Sequence, residues 1–255
     1  MTPFTALVLA GSRGPSDPVA AAAGVSHKAL AQVGGRPMLA RVITALAGAG
    51  AERVLVLIET PAIVADLPGL SALRGCAVEA MAAAPSPSLS VLAGLERLGA
   101  PVLITTADHA LLRPEWITAF LERVPPDADL AAAVARAETV AAAAPRTRRT
   151  FLRFSDVAVS GCNLFYLATD RGAGAIRAWR RFETHRKQPL TLARMLGPDV
   201  LVRYALGRLS LAAALARLGR LADARLAAVE LPFGEAAIDV DKPDDLELAR
   251  GLAEA

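Results

Sequence analysis

Two cysteines, three histidines and a 4% aromatic fraction are all that 255 residues supply of those types. Cys76 and Cys162 have no CxxC spacing, which points away from a zinc ribbon and from a disulfide scaffold. His27, His109 and His185 lack the spacing of a triad or a metal site, so histidine chemistry is not expected. No run of 18 uncharged apolar residues occurs, and no transmembrane helix is expected. Met1 to Thr5 leads straight into a strand without a basic segment and an apolar helix, so no signal peptide is expected and the cytosol is the default. The shortage of aromatics among the basic residues argues against stacking on nucleic acid bases.

What is present is a folded, alanine-rich composition: 54% hydrophobic, 21% charged and a net charge of +3. The charge is uneven. Arg177, Arg180, Arg181, Arg186, Lys187, Arg194, Arg203, Arg208, Arg217, Arg220 and Arg225 crowd one stretch. The plain reading is a solvated helical face. The amphipathic part, residues 192–221, also suits weak contact with anionic lipid, although packing on the core is the commoner fate of such a pattern.

Residues 5–10 (TALVLA), 53–58 (RVLVLI) and 101–107 (PVLITTA) are apolar on both faces, as strands of a covered parallel sheet are. Between them, residues 37–50 and 86–99 show helical apolar spacing, with proline near the start and glycine at the end. Strand and helix in alternation predict a doubly wound, mostly parallel, twisted α/β sheet flanked by helices. Residues 129–136 read as a further strand, and 150–169 as strands around a turn at Ser160-Gly161. Two or three helices fill 173–222 as an insertion before a last strand at 227–233, and Pro243 opens a final helix with Asp244 and Asp245 in its first turn. One domain over 1–255 is expected, with halves of about 1–110 and about 111–255.

The segment LVLAGSRGPSDPVAAAAGVSHKAL, residues 7–30, raises the functional question. In open α/β sheets ligands bind beyond the carboxyl ends of the strands, where this loop leaves the first one. Gly11 and Gly14 allow backbone N–H groups to approach a ligand, and Arg13 adds positive charge, which together suit a phosphate. The pattern is neither GxGxxG nor GxxxxGK[ST], so neither the dinucleotide fingerprint nor the ordinary ATPase loop is present.

Leu9-Ala10-Gly11, Arg13 and Gly14, His27-Lys28-Ala29-Leu30 and Gly35-Arg36-Pro37-Met38-Leu39 follow one another in an order that resembles the MobA-like NTP transferases, nucleotidyltransferases of the GT-A (Rossmann-like) fold. The chain departs from that pattern at Ser12 (for the second glycine), at His27 (for a proline before the lysine), and in a loop from Gly14 to Ser26 that is longer than usual. The resemblance implies transfer of a nucleotidyl group from an NTP to a phosphorylated acceptor, with release of pyrophosphate. It makes Leu9, Ala10, Gly11, Ser12, Gly14, Lys28 and Ser90 (the last within Ser90-Val91-Leu92-Ala93-Gly94-Leu95) nucleotide-binding, and Lys28 and Arg13 catalytic. It further implies Mg²⁺ held by Asp108, which follows the strand at 101–107, and by Asp241 of IDVDKPDDLELA, with Asp239 as its neighbour. Gly161 and Asn163 of SGCNLF fall on the acceptor side. A phosphate nucleophile is ionised near neutral pH and needs no general base, which fits the shortage of histidine; His109 beside Asp108 reads as structural. Two alternatives stand beside this one. A GT-A glycosyltransferase would use a D-x-D, found here only as Asp239-Val240-Asp241. A non-catalytic relative would bind nucleotide or dock on a membrane through the arginine-rich helices.

Overall fold

The apolar run after Pro3 forms β1 (Phe4–Leu9) in the computed structural model, which describes residues 3–12, 14–145, 147, 149–185 and 195–254. The long loop expected next contains a short helix, α1 (Pro18–Ala23). Asp17 starts it by accepting the Val19 and Ala20 amides, Pro18 sets the first turn, and Gly24 at φ 65° closes it. A hairpin of β2 (Gln32–Val33) and β3 (Arg36–Pro37) turns through Gly34 and Gly35, whose positive φ of 55° and 70° glycine adopts without strain.

Helix and strand then alternate through α2 (Met38–Gly48), β4 (Ala51–Ile58), α3 (Ala62–Ala65), β5 (Ala77–Ala82), α4 (Pro87–Leu98), β6 (Val102–Thr106), α5 (Pro114–Arg123), β7 (Leu130–Arg136) and α6 (Ala137–Ala143). β8 (Leu152–Arg153) and β9 (Ala158–Leu167) follow, then α7 (Ala173–His185), α8 (Pro198–Ala205), α9 (Leu211–Ala222), β10 (Leu226–Glu230) and α10 (Pro243–Ala253). The sheet runs β10-β7-β9-β6-β1-β4-β5, with β8 paired to β9. Every neighbouring pair in that order is parallel except those of β9 with β6 and β7. This is the doubly wound, mostly parallel sheet flanked by helices, and the helices α7 to α9 stand before its last strand.

One element differs from expectation. Ser160-Gly161 is not a turn, because β9 runs unbroken through it, and the chain reverses instead around Ser155-Asp156, where the Phe154 amide bonds the Val157 carbonyl at 2.8 Å. The glycine marks an irregularity within the strand: the β7–β9 register slips between Ala132 and Val134, and Asn163 sits at φ 48°. β5, an alanine-rich edge strand, had no clear sequence signal.

Both sheet faces are covered. Leu39, Ile43, Leu46, Ile117 and Phe120 of α2 and α5 are fully buried on one side; on the other, Leu7, Leu55, Leu57 and Ile104 meet Val91 of α4. Each such side chain contributes about 1.5–3 kcal/mol by leaving water. The amphipathic stretch at 192–221 resolves, within the described residues, into α8 and α9. α9 rests against α7 and β10, so its apolar face is used within the fold. The carboxyl ends of β1, β4 and β6 lie together at one edge.

Candidate nucleotidyl-transfer site

At that edge lies a cleft of about 420 Å³, lined by Leu9, Gly11, Ser12, Asp17, Lys28, Glu59, Ala83 to Pro87, Ser90, Asp108 and Asp241 among others. Lys28 reaches it from a single 3₁₀ turn, Lys28–Leu30, that begins at His27. His27 Nδ1 accepts the Ala29 amide at 3.1 Å, which leaves Nε2 to donate to Glu59 Oε2 at 3.0 Å. The backbone on either side of the lysine is therefore fixed by its neighbour. Asp108 follows β6, where the Ala107 amide bonds the Leu9 carbonyl at 2.8 Å and ties the acid to β1. Asp241 arrives from the far end of the chain because the Val240 amide bonds the Asp108 carbonyl at 3.0 Å. Asp245 then fixes the start of α10 by accepting the Asp241 and Lys242 amides at 3.1 and 3.0 Å.

Lys28 Nζ lies 2.7 Å from Asp108 Oδ2 and 3.6 Å from Asp241 Oδ1. Burial alone would lower the lysine pKa, but the pair with Asp108, helped by Asp241, raises it above the ordinary value and holds it as ammonium. Asp241 is shifted the other way: burial and the charge of Asp239 raise its carboxyl above the usual range, opposed by Lys28. Asp108 Oδ1 is buried and has no hydrogen-bond partner among the described residues. That orphaned oxygen, with the Asp241 carboxylate nearby, fits a hard cation such as Mg²⁺, which takes one or two carboxylates and completes its shell with water and phosphate oxygens. No group of three acidic, histidine or cysteine side chains converges among the described residues, so protein would supply only part of that shell.

The remaining expected residues divide. Leu9, Gly11, Ser12 and Ser90 line the cleft; Ala10 lies buried beneath it, its amide on the Leu57 carbonyl at 2.8 Å. Gly14 is one turn further on, at φ 67°. Arg13 is outside the described residues. Asp239 does not share the Lys28 ammonium with its neighbour. Both its oxygens face Arg149, and Asn163 Nδ2 donates to Oδ2 at 2.8 Å, so its partners are Arg149 and Asn163. Gly161 is exposed on β9. His109 is buried and stacks on Trp116 at 6.1 Å; desolvation lowers its pKa to about 4, which makes it a neutral packing residue.

Two charged residues were missed. Glu59 accepts the Ser12 amide at 2.9 Å as well as His27; burial pushes its carboxyl up, but the bonds from His27, Ser12 and its own backbone amide carry it below the ordinary value. An acid at the carboxyl end of the strand beside β1 was the available signal, since ligands bind beyond the carboxyl ends of the strands in such sheets. Arg149, in a loop of arginines and alanines, had no signal.

A family model described as the MobA-like NTP transferase domain matches residues 6–228. Among solved structures, a hypothetical transferase from Thermus thermophilus is 32% identical, with a TM-score of 0.80 and coverage of 96% of this chain and 100% of that one. A CMP:2-keto-3-deoxy-manno-octonic acid synthetase complexed with CTP is 17% identical, with a TM-score of 0.55 and 98% of each chain covered. A 4-diphosphocytidyl-2C-methyl-D-erythritol synthase from Anaerococcus prevotii is 10% identical, with a TM-score of 0.61, over 99% of this chain and 96% of that one. At such identities these last two likenesses speak for the fold alone. No curated protein sequence matches the chain.

Proposed function

The chain belongs to the MobA-like NTP transferase family, and we propose that it transfers a nucleoside monophosphate from an NTP to a phosphorylated small-molecule acceptor, with Mg²⁺ and with release of pyrophosphate. The observation that carries this reading is the Lys28 ammonium held between Asp108 and Asp241 in a cleft floored by the glycine turn of Gly11 and Ser12. Lys28 neutralises polyphosphate oxygens as charge builds on them in the transition state, and it is already oriented before substrate arrives, so no reorganisation is required. Asp108 and Asp241 would hold Mg²⁺. Once bound, that ion supplies Lewis acidity at the phosphoryl oxygens. Asn163, fixed through Asp239 and Arg149, faces the acceptor with Gly161, beside which an added Cβ would meet open space. The acceptor phosphate brings its own negative charge, and no side chain needs to deprotonate it. One domain serves both substrates, and no nucleic acid is involved.

A screen of pyrophosphate release, with four NTPs against sugar phosphates, alcohol phosphates and pterin cofactor precursors, tests this directly. Lys28→Ala and Asp108→Asn are each expected to lower kcat by about 10²-fold or more, the usual effect of removing one preorganised charge from such a site. Wild-type rates in both variants would overturn the assignment.

A further inference from the structure

The cationic face of the helices before the last strand takes no part in the cleft. Residues 173–185 and 195–222 hold seven arginines against two acids, Glu183 and Asp199, although the whole chain is only +3. Glu183 is turned to Ser88 of α4. Arg177, Arg180 and Arg181 are exposed at helical spacing on α7, and none of them is in an ion pair among the described residues.

The end of α8 concentrates this charge. Gly207, at φ 64°, stops the helix: its amide bonds the Tyr204 carbonyl at 3.0 Å, and the Arg208 amide bonds the Arg203 carbonyl at 2.7 Å. Such a stop brings residue 208 back beside residue 203, where two apolar side chains ordinarily meet. Here both are arginines, both are exposed, and neither has an acidic partner among the described residues. The carbonyls of a helix end offset only about half a charge, so two guanidinium groups leave an excess that an anion would neutralise. Val202 and Leu206 lie four residues apart on one side of the same helix and are 57% and 62% exposed. The other side is anchored: Tyr204 meets Phe154 of the β8–β9 turn edge-on at 6.0 Å, and the Ser155 amide bonds the Leu209 carbonyl at 2.9 Å.

Neighbouring cations beside outward apolar side chains match the surface of an anionic bilayer, which offers phosphates to the first and the acyl boundary to the second. A nucleic acid would use the arginines but leave Val202 and Leu206 in water, and the Tyr204 ring is already engaged with Phe154. A second copy would meet this face with like charge. Nothing among the described residues fixes the two guanidinium groups, which suits a fluid layer of phosphates better than the set carboxylates of a protein partner. We propose that the outer face of α8 docks on anionic lipid, with Arg203 and Arg208 on headgroup phosphates and Val202 and Leu206 entering the interface. The arginines of α7 add attraction at longer range. The docking does not involve the cleft, so it stands or falls separately from nucleotidyl transfer.

Co-sedimentation of the full chain with large vesicles tests the docking. Mixed phosphatidylglycerol and phosphatidylcholine vesicles are expected to bind it at least about tenfold more tightly than phosphatidylcholine alone, because each cation near an anionic surface adds to the attraction. Salt at about 1 M, where the screening length falls to about 3 Å, should release most of the protein. Arg203→Gln with Arg208→Gln should abolish the preference for the anionic vesicles. Val202→Ser with Leu206→Ser should weaken binding and make the remainder more sensitive to salt. Arg74→Gln with Arg123→Gln removes the same charge from exposed positions elsewhere and should bind as the wild type does. Thermal melting verifies that each variant is folded. Absence of binding, equal binding to both kinds of vesicle, or an unchanged Arg203 and Arg208 double variant would overturn the proposal. An equal loss in the Arg74 and Arg123 pair would trace the attraction to net charge and overturn it as well. Capture by RNA in preference to vesicles, or a dimer that Leu206→Ser dissolves, would give the face to another occupant with the same result.

Discussion

Arg149 and Asp239 illustrate how much one residue's company decides. Their side chains are only 17% and 11% exposed, and the guanidinium faces both carboxylate oxygens. Arg149→Ala leaves an acid with little water and no cation, beside Asp241. The expected loss is about 3 kcal/mol in chemical denaturation, and Arg149→Lys should recover little of it, because an ammonium cannot grip both oxygens. Asp129 tests the charge of another nearly covered acid. It accepts the Arg225 amide at 2.8 Å and the Thr169 hydroxyl at 2.6 Å, and the first of these bonds chiefly holds its pKa below the ordinary value. A depressed carboxyl contributes stability that is fully present above its unfolded pKa of about 3.9 and is lost as pH falls through the lower folded value. Asp129→Ala should therefore cost about 1–3 kcal/mol at neutral pH, and its stability should fall less than the wild type's on acidification below pH 4. Cys162, whose thiol burial pushes up to about 12, should be unreactive to thiol reagents in the folded chain.

At the scale of elements, α4 and α7 pack together behind the cleft. Ser86 caps α4, Ser90 on its first turns fixes the Ala84 amide, and Ser88 bonds Glu183 of α7. α7 in turn is seated on α9 at Gly174, where an added Cβ would run into the Ala222 carbonyl oxygen. Gly174→Ala should push the two helices apart at a cost of about 1–3 kcal/mol, read as a lower Tm. The displaced α7 should also loosen Glu183 from Ser88 and raise KM for the nucleotide more than it lowers kcat. The glycine could be placed on a helix from the sequence, but the requirement for glycine comes from a backbone met only in the folded chain.

The whole molecule offers a test of metal and nucleotide together. A ligand that binds only the native state stabilises it, by about 2.7 kcal/mol at a hundredfold excess over Kd. The matching NTP with Mg²⁺ should raise Tm accordingly, and chelation of the metal should remove most of the shift by leaving the triphosphate beside Asp108 and Asp241.

The apolar runs at β1, β4 and β6, the capped helices between them and the lysine after a glycine-rich turn are local matters of period and backbone freedom, so the amino-acid order settled them and, with them, the class of fold. Asp108 was legible for the same reason, as an acid at a strand's carboxyl end. The family resemblance put Asp241 ahead of Asp239 as its companion, but residue spacing alone did not separate them, because the two lie two apart on one extended piece. The choice turns on Lys28 and Arg149, brought up from distant parts of the chain. Glu59 likewise acquires meaning only where β4 lies beside β1 and its carboxylate meets the Ser12 amide, 47 residues away in sequence. A side chain's charge is written in the sequence, but its partners are set by long-range packing, and the partners decide what the charge can do.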